Sequence, residues 1–126
     1  MQILVLAVVH NPVLLAGISA LIETQPALRS VGTAQSVESG LALYSKSSPD
    51  ITLIDLNLPG TGALQAIGAI RSLNPAARVI GLTTYELDPI CMKAVEVGAA
   101  SILPKHQISD HLVDLIHELI RGRDAS

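Results

Sequence analysis

Short apolar runs alternate five times with longer stretches of helical periodicity along this chain. The first run, residues 3–9, is almost wholly apolar, which is typical of a strand covered on both faces. Such alternation indicates βα units on a parallel sheet. Five units favour an open doubly wound sheet over a barrel, which needs about eight. The later strands are predicted at residues 28–34, 50–54, 78–82 and 100–103.

Capping residues mark the predicted starts of three helices. A short polar side chain before a helix accepts hydrogen bonds from its first free N–H groups, and proline fits the first turn. These residues are Asn11 with Pro12, Ser36, and Asp88 with Pro89. Gly98 is predicted to end the fourth helix. The last helix is predicted from an apolar pattern at i, i+4, i+7 and i+8 that ends near Ile120, and residues 121–126 read as a linker or a frayed end.

Length and composition exclude several classes of protein. A chain of 126 residues fits one domain, and 49% hydrophobic residues with 15% charged residues exclude global disorder. No apolar run approaches the roughly 18 residues that span a bilayer, so we expect a cytoplasmic protein that does not contact the membrane. The net charge of -3 and the presence of only two tyrosines predict no direct nucleic-acid contact by this domain. A single cysteine, Cys91, excludes an intrachain disulfide.

Three polar side chains follow three of the predicted strands: Asp55, Thr83 and Lys105. In an open parallel sheet the site lies at the carboxyl ends of the strands. A carboxylate can attack a phosphoryl group, a threonine hydroxyl can donate to a phosphoryl oxygen, and an ammonium can balance the negative charge. Each residue alone is more often structural, but together they indicate a phosphoryl-binding site.

These residues stand in motifs that resemble the receiver domains of two-component response regulators. The resemblance to this CheY-like family, and within it to the NarL/FixJ transcription-factor group, covers nearly the whole chain. The matching stretches are NPVLLAGI at 11–18, PDITLIDLNLPG at 49–60, VIGLT at 79–83, AVEVGA at 94–99 and ILPK at 102–105. The resemblance implies a receiver domain over residues 1–120 with a flavodoxin-like (βα)5 fold and strand order 2-1-3-4-5. It also implies that Asp55 is the phospho-acceptor, Thr83 the switch hydroxyl and Lys105 the lysine before a cis peptide bond.

The departures from the family pattern concern the same site. The family ends its first strand with two acidic residues that bind magnesium, and Val9 and His10 stand there. Valine has no ligand atom and imidazole is a poor magnesium ligand, so we expect no metal site or a weak one, no cofactor, and impaired or absent phosphorylation. An aromatic switch residue is replaced by Ile102, and residues 61–63 read Thr-Gly-Ala where an acidic residue and a glycine are usual.

Two interpretations of His10 remain open at this point. Its protonated form can pair with Asp55 and replace part of the missing metal charge. Alternatively, His10 is a neutral histidine that is hydrogen-bonded or faces solvent.

The resemblance implies a regulatory module of a transcription factor. Its partners would be a sensor histidine kinase and a helix-turn-helix output domain reached through the tail or linker at residues 121–126. A second copy of the domain would bind through the face of the fourth helix, fifth strand and fifth helix. The alternatives are a stand-alone adaptor and a small-molecule sensor with a pocket lined by Val9.

Enzymatic activity is not expected. Residues 9–12 do not form the phosphate loop of a flavodoxin, and Val8 and Val13 stand where a cobalamin-binding module has Asp and Gly. Asn57 replaces the second Asp of an aspartate-nucleophile phosphatase.

Overall fold

Five strands and five α-helices alternate along the part of the chain that the structure describes. The computed structural model describes residues 2–60 and 62–125. The strands are β1 Ile3–Val8, β2 Leu28–Ala34, β3 Ile51–Asp55, β4 Val79–Thr83 and β5 Ser101–Pro104. The helices are α1 Pro12–Glu23, α2 Val37–Ser47, α3 Gly62–Leu73, α4 Pro89–Glu96 and α5 Ile108–Ala125, with a short 3₁₀ turn at Lys105–Gln107.

The strands form one parallel sheet in the order β2-β1-β3-β4-β5, which confirms the predicted doubly wound (βα)5 fold. The first strand ends at Val8, one residue earlier than predicted, and the last three strands begin and end one residue later than predicted. The reason lies in the ladder, where Asp55 pairs with Leu82 and Thr83 with Pro104. The polar residues that were predicted to follow two strands are therefore their final residues.

Apolar clusters cover both faces of the sheet. On one face the alternate strand residues pack against α1 and α5, with Ile18, Leu112 and Ile116 fully buried. On the other face they pack against α2, α3 and α4, with Ile67 fully buried in the centre. Burial of both faces explains why β1 is a continuous apolar run, whereas β2 at the edge of the sheet contains Arg29, Ser30 and Thr33.

The predicted caps are present. The side-chain oxygen of Asn11 accepts hydrogen bonds from the N–H groups of Val13 and Leu14, and Ser36 and Asp88 cap α2 and α4. The last helix is longer than its apolar pattern predicted, because α5 continues to Ala125 through most of the segment interpreted as a tail or linker. None of the described helices is long and apolar enough to cross a membrane.

Candidate functional site

The carboxyl ends of β3, β4 and β5 bring the predicted site residues to one edge of the sheet. Asp55 ends β3, Thr83 ends the neighbouring β4, and Lys105 directly follows β5. Asp55 and Thr83 are 2% and 1% exposed, which makes them two of the few buried polar residues of the domain.

The carboxylate of Asp55 is neutralised by Lys105. The Nζ atom of Lys105 lies 2.9 Å from Oδ1 of Asp55, and the same oxygen accepts a hydrogen bond of 2.9 Å from the N–H of Asn57. A buried carboxylate without a partner would pay a large desolvation cost, and these two contacts offset part of that cost. Lys105 itself remains 22% exposed and keeps part of its hydration.

Asn57 and Thr84, to which the sequence assigned no role in the site, complete this arrangement. The side-chain oxygen of Asn57 accepts hydrogen bonds from Nζ of Lys105 at 3.2 Å and from the hydroxyl of Thr84 at 2.9 Å. Position 57 lies two residues after Asp55, in the loop after β3, where Asn and Asp commonly bond nearby backbone and side chains. That spacing was the available signal, but it does not tell which loops Asn57 would meet.

The hydroxyl of Thr83 is engaged within its own segment. It donates to the carbonyl of Tyr85 at 2.9 Å and lies 3.5 Å from the thiol of Cys91 on α4. Among the described residues no hydrogen bond joins Thr83 to Asp55 or Lys105. Thr83 therefore ends the strand next to β3, but its hydroxyl points toward the start of α4 and not toward Asp55.

Val9 and His10, which stand at the positions of the missing acidic pair, differ in burial. Val9 is fully buried in the cluster beneath α1 and α5, and its N–H donates to the carbonyl of Ala34 at 2.9 Å. His10 is exposed, and its backbone carbonyl accepts a hydrogen bond of 3.0 Å from the side chain of Gln35. No ion pair within the described residues joins His10 to Asp55, whose charged partner is Lys105.

A cavity of about 390 Å³ opens beside His10 rather than beside Val9. It lies between the loop after β2 and the loop after β3, and Gln35, Glu38, Pro59 and Gln65 are among its lining residues. The expectation of a pocket lined by Val9 is wrong, because the valine side chain belongs to the apolar core.

Ile102 and the backbone after Lys105 show two further departures from the family pattern. Ile102 pairs with Gly81 on β4, and a Cβ added at Gly81 would lie 2.9 Å from Cδ1 of Ile102. The isoleucine therefore fills the space that the glycine leaves.

The described residues contain no cis peptide bond, so the expected cis bond after Lys105 is wrong. Lys105 is followed by His106, and a cis bond before a residue other than proline is costly.

The side chains at the two acidic-pair positions lack the oxygen ligands that a magnesium ion takes. A hard divalent cation takes oxygen ligands, chiefly from carboxylates, carbonyls and water. At the acidic-pair positions Val9 offers no side-chain ligand and His10 only an imidazole, while Lys105 occupies one oxygen of Asp55. Nowhere in the described part of the chain do three or more His, Cys, Asp or Glu side chains cluster suitably for a metal ion.

Comparisons with known proteins agree with this geometry. The family model described as "Response regulator receiver domain" matches residues 5–117. The transcriptional regulatory protein MctR from Rhizobium johnstonii is 30% identical over 121 residues, which are 96% of this chain and 56% of that protein. The nitrate/nitrite response regulator NarL from Escherichia coli is 27% identical over 94% of this chain and 55% of its own length. The chain therefore spans about half the length of these relatives.

Solved structures of similar proteins have the same fold. A two-component response regulator of the LuxR family from Aurantimonas superposes with a TM-score of 0.89 at 30% identity, covering 97% of this chain and 87% of the other. The response regulator domain of CheB from Thermotoga maritima, at 21% identity, superposes with a TM-score of 0.87 and covers 96% and 98%. The fold, the position of Asp55 at the edge of the sheet and the family match agree with one another. The chain therefore belongs to the response regulator receiver domains of two-component systems, close to the NarL and LuxR groups.

Proposed function

We propose that this receiver domain acts through contacts with other proteins and that phosphorylation of Asp55 is impaired or absent. The observation that carries the proposal is the ion pair of 2.9 Å between Lys105 and Asp55 beside two positions, Val9 and His10, that hold no carboxylate. Phosphoryl transfer relies on metal ions to neutralise the charge that develops on the phosphoryl oxygens. A single ammonium, already paired with the attacking carboxylate, supplies much less of that neutralisation.

The direct test is incubation of the domain with acetyl phosphate and magnesium, followed by intact-mass measurement. We expect the mass to remain that of the unmodified chain. The variant His10→Asp is the matched gain-of-function control, since His10 is exposed and a carboxylate there restores one magnesium ligand. We expect His10→Asp to raise the phosphorylated fraction and the added substitution Asp55→Asn to abolish it. Stoichiometric phosphorylation of the unaltered domain, lost in Asp55→Asn, would overturn the proposal.

The proposed output is a helix-turn-helix DNA-binding domain that follows residue 126 in the whole protein. The proposed location of the whole protein is the cytoplasm. The chain spans 56% and 55% of two relatives that are named a transcriptional regulatory protein and a nitrate/nitrite response regulator. A sensor histidine kinase is the corresponding proposed upstream partner. Sequencing the gene beyond codon 126 tests the output. A reading frame that ends there would favour a stand-alone adaptor instead.

We place the proposed dimer contact on the face formed by α4, β5 and α5. The segment from the end of β4 through α4 exposes several large apolar side chains, among them Leu87 at 77% and Met92 at 72% exposure. An apolar patch of this kind on a soluble domain is typical of a protein contact surface. Pairing two receivers through it would bring two output domains together.

A further inference from the structure

Asn57 joins three loops at the carboxyl edge of the sheet. It lies in the loop after β3, and its side-chain oxygen binds Thr84 after β4 and Lys105 after β5, at 2.9 Å and 3.2 Å. An ammonium group can only donate, so the amide atom that faces it must be the oxygen. Both lone pairs of that oxygen are then used, one for each neighbouring loop.

The same residue is tied to the acidic side chain. The N–H of Asn57 donates to Oδ1 of Asp55 at 2.9 Å, and Lys105 binds this carboxylate oxygen as well. A closed ring of contacts therefore runs from Asp55 through Lys105 to the side chain of Asn57 and back through its backbone. Thr84 is attached to this ring from outside.

Thr84, and not Thr83, links the segment between β4 and α4 to Asp55. The Thr83 hydroxyl donates to Tyr85, within its own segment. The next residue, Thr84, directs its hydroxyl across to Asn57. Directly after Thr84 comes the segment that exposes Tyr85 and Leu87 and leads to Met92 on α4.

We propose that Asn57 and Thr84 form a latch that holds the segment from residue 84 to residue 97 in one conformation while Asp55 is unmodified. In this latch Asn57 is the positioning residue for Lys105 and for Thr84. The apolar surface of α4 is thereby coupled to the acidic site without a phosphoryl group. The latch does not depend on whether Asp55 can be phosphorylated.

Hydrogen exchange of the unmodified domain, measured by mass spectrometry without any phosphodonor, tests the latch. Thr84→Val removes the hydroxyl and keeps the shape of the side chain. We expect amides of residues 84–97 to exchange about threefold faster, the size expected when one exposed hydrogen bond to a neutral group is lost. Thr84→Ser keeps the hydroxyl and should restore the exchange rate of the unaltered domain. Thr33→Val, at an exposed threonine of β2, is the matched control and should leave these amides unchanged.

Asn57→Ala supplies an independent second variant, because it removes the acceptor instead of the donor. We expect the same region to exchange faster, and the double variant Asn57→Ala/Thr84→Val to exchange no faster than Asn57→Ala alone, since both remove one shared bond. Unchanged exchange in Thr84→Val, equal acceleration in Thr33→Val, or failure of Thr84→Ser to restore protection would each overturn the latch. None of these outcomes depends on the phosphodonor experiment, so the two proposals fail separately.

Discussion

At the scale of single residues, the domain depends on how one buried carboxylate is satisfied. Asp55 is 2% exposed and its Oδ1 receives both the ammonium of Lys105 and the N–H of Asn57. Burial of a charge is tolerated only when paired and hydrogen-bonded groups replace the lost water. Removing one partner should therefore lower the free energy of unfolding by more than the intact pair contributes to it.

Replacing Lys105 by methionine should destabilise the domain. The substitution keeps most of the side-chain volume but leaves the Asp55 carboxylate without its cation. We expect the free energy of unfolding to fall by about 2 kcal/mol, less than for a fully buried pair because Lys105 is partly exposed. Urea denaturation followed by circular dichroism measures the change.

The double variant Asp55→Asn/Lys105→Met removes both charges and should recover much of the lost stability. The matched control is Lys93→Met, at an exposed position of α4. A loss in Lys105→Met no larger than in Lys93→Met would contradict the structural role of the ion pair.

At the scale of elements, the connection between α4 and β5 is decided by one glycine. Gly98 follows the C-cap of α4 with φ of +123°, a backbone conformation that other residues rarely adopt. A Cβ at this position would lie 2.6 Å from Cγ of Arg71 on α3. The guanidinium of Arg71 in turn donates to the carbonyl of Ala77 at 3.0 Å, which limits how far the side chain can move.

Gly98→Ala should therefore destabilise the domain by about 1–3 kcal/mol, through backbone strain and the contact with Arg71. The matched substitution Gly17→Ala should have the opposite sign. Gly17 lies within α1 and a Cβ there meets nothing within 4 Å, so alanine should stabilise the helix by roughly 0.5–1 kcal/mol. Thermal unfolding of both variants measures the two changes, and equal effects of the same sign would contradict this account of Gly98.

At the scale of the whole molecule, the arrangement of one sheet between two layers of helices separates the core from the exposed surfaces. Both faces of the sheet are covered by helices, and the acidic site is confined to one edge. The segment that follows β4 starts at this edge and carries exposed Leu87, Met92 and Val95. The proposed contact surface therefore begins at the edge that carries Asp55 and lies outside the core.

Association of the domain should depend on this α4 surface. We expect sedimentation velocity to show a concentration-dependent dimer, and Met92→Glu and Val95→Glu each to shift the equilibrium toward monomer by placing a charge in an apolar contact. Leu73→Glu is the matched control, since Leu73 is 62% exposed on α3, outside the α4–β5–α5 face. Equal weakening by Leu73→Glu, or a monomer at every concentration, would contradict the proposed dimer face.

Much of the fold could be predicted because the signals are local. Apolar runs buried on both faces, helical periodicity and caps such as Asn11 and Ser36 depend on neighbouring residues, and all of them are present in the structure. The same holds for the grouping of Asp55, Thr83 and Lys105, since parallel strands end at a common edge. The bounds of β3 and β4 were less accurate, because the ladder extends to the polar residues that end them.

By itself, then, the sequence determined the five βα units, the sheet edge that carries the site, and the lack of a carboxylate at positions 9 and 10. Which groups meet at that edge depends on how the folded loops place their side chains. The tertiary structure paired Asp55 with Lys105 instead of His10, turned the hydroxyl of Thr83 toward Tyr85, and brought Asn57 into contact with Thr84 and Lys105. These partners lie between 2 and 50 residues apart in the chain, and whether two such side chains touch depends on loop conformations and rotamers that neither periodicity nor composition encodes.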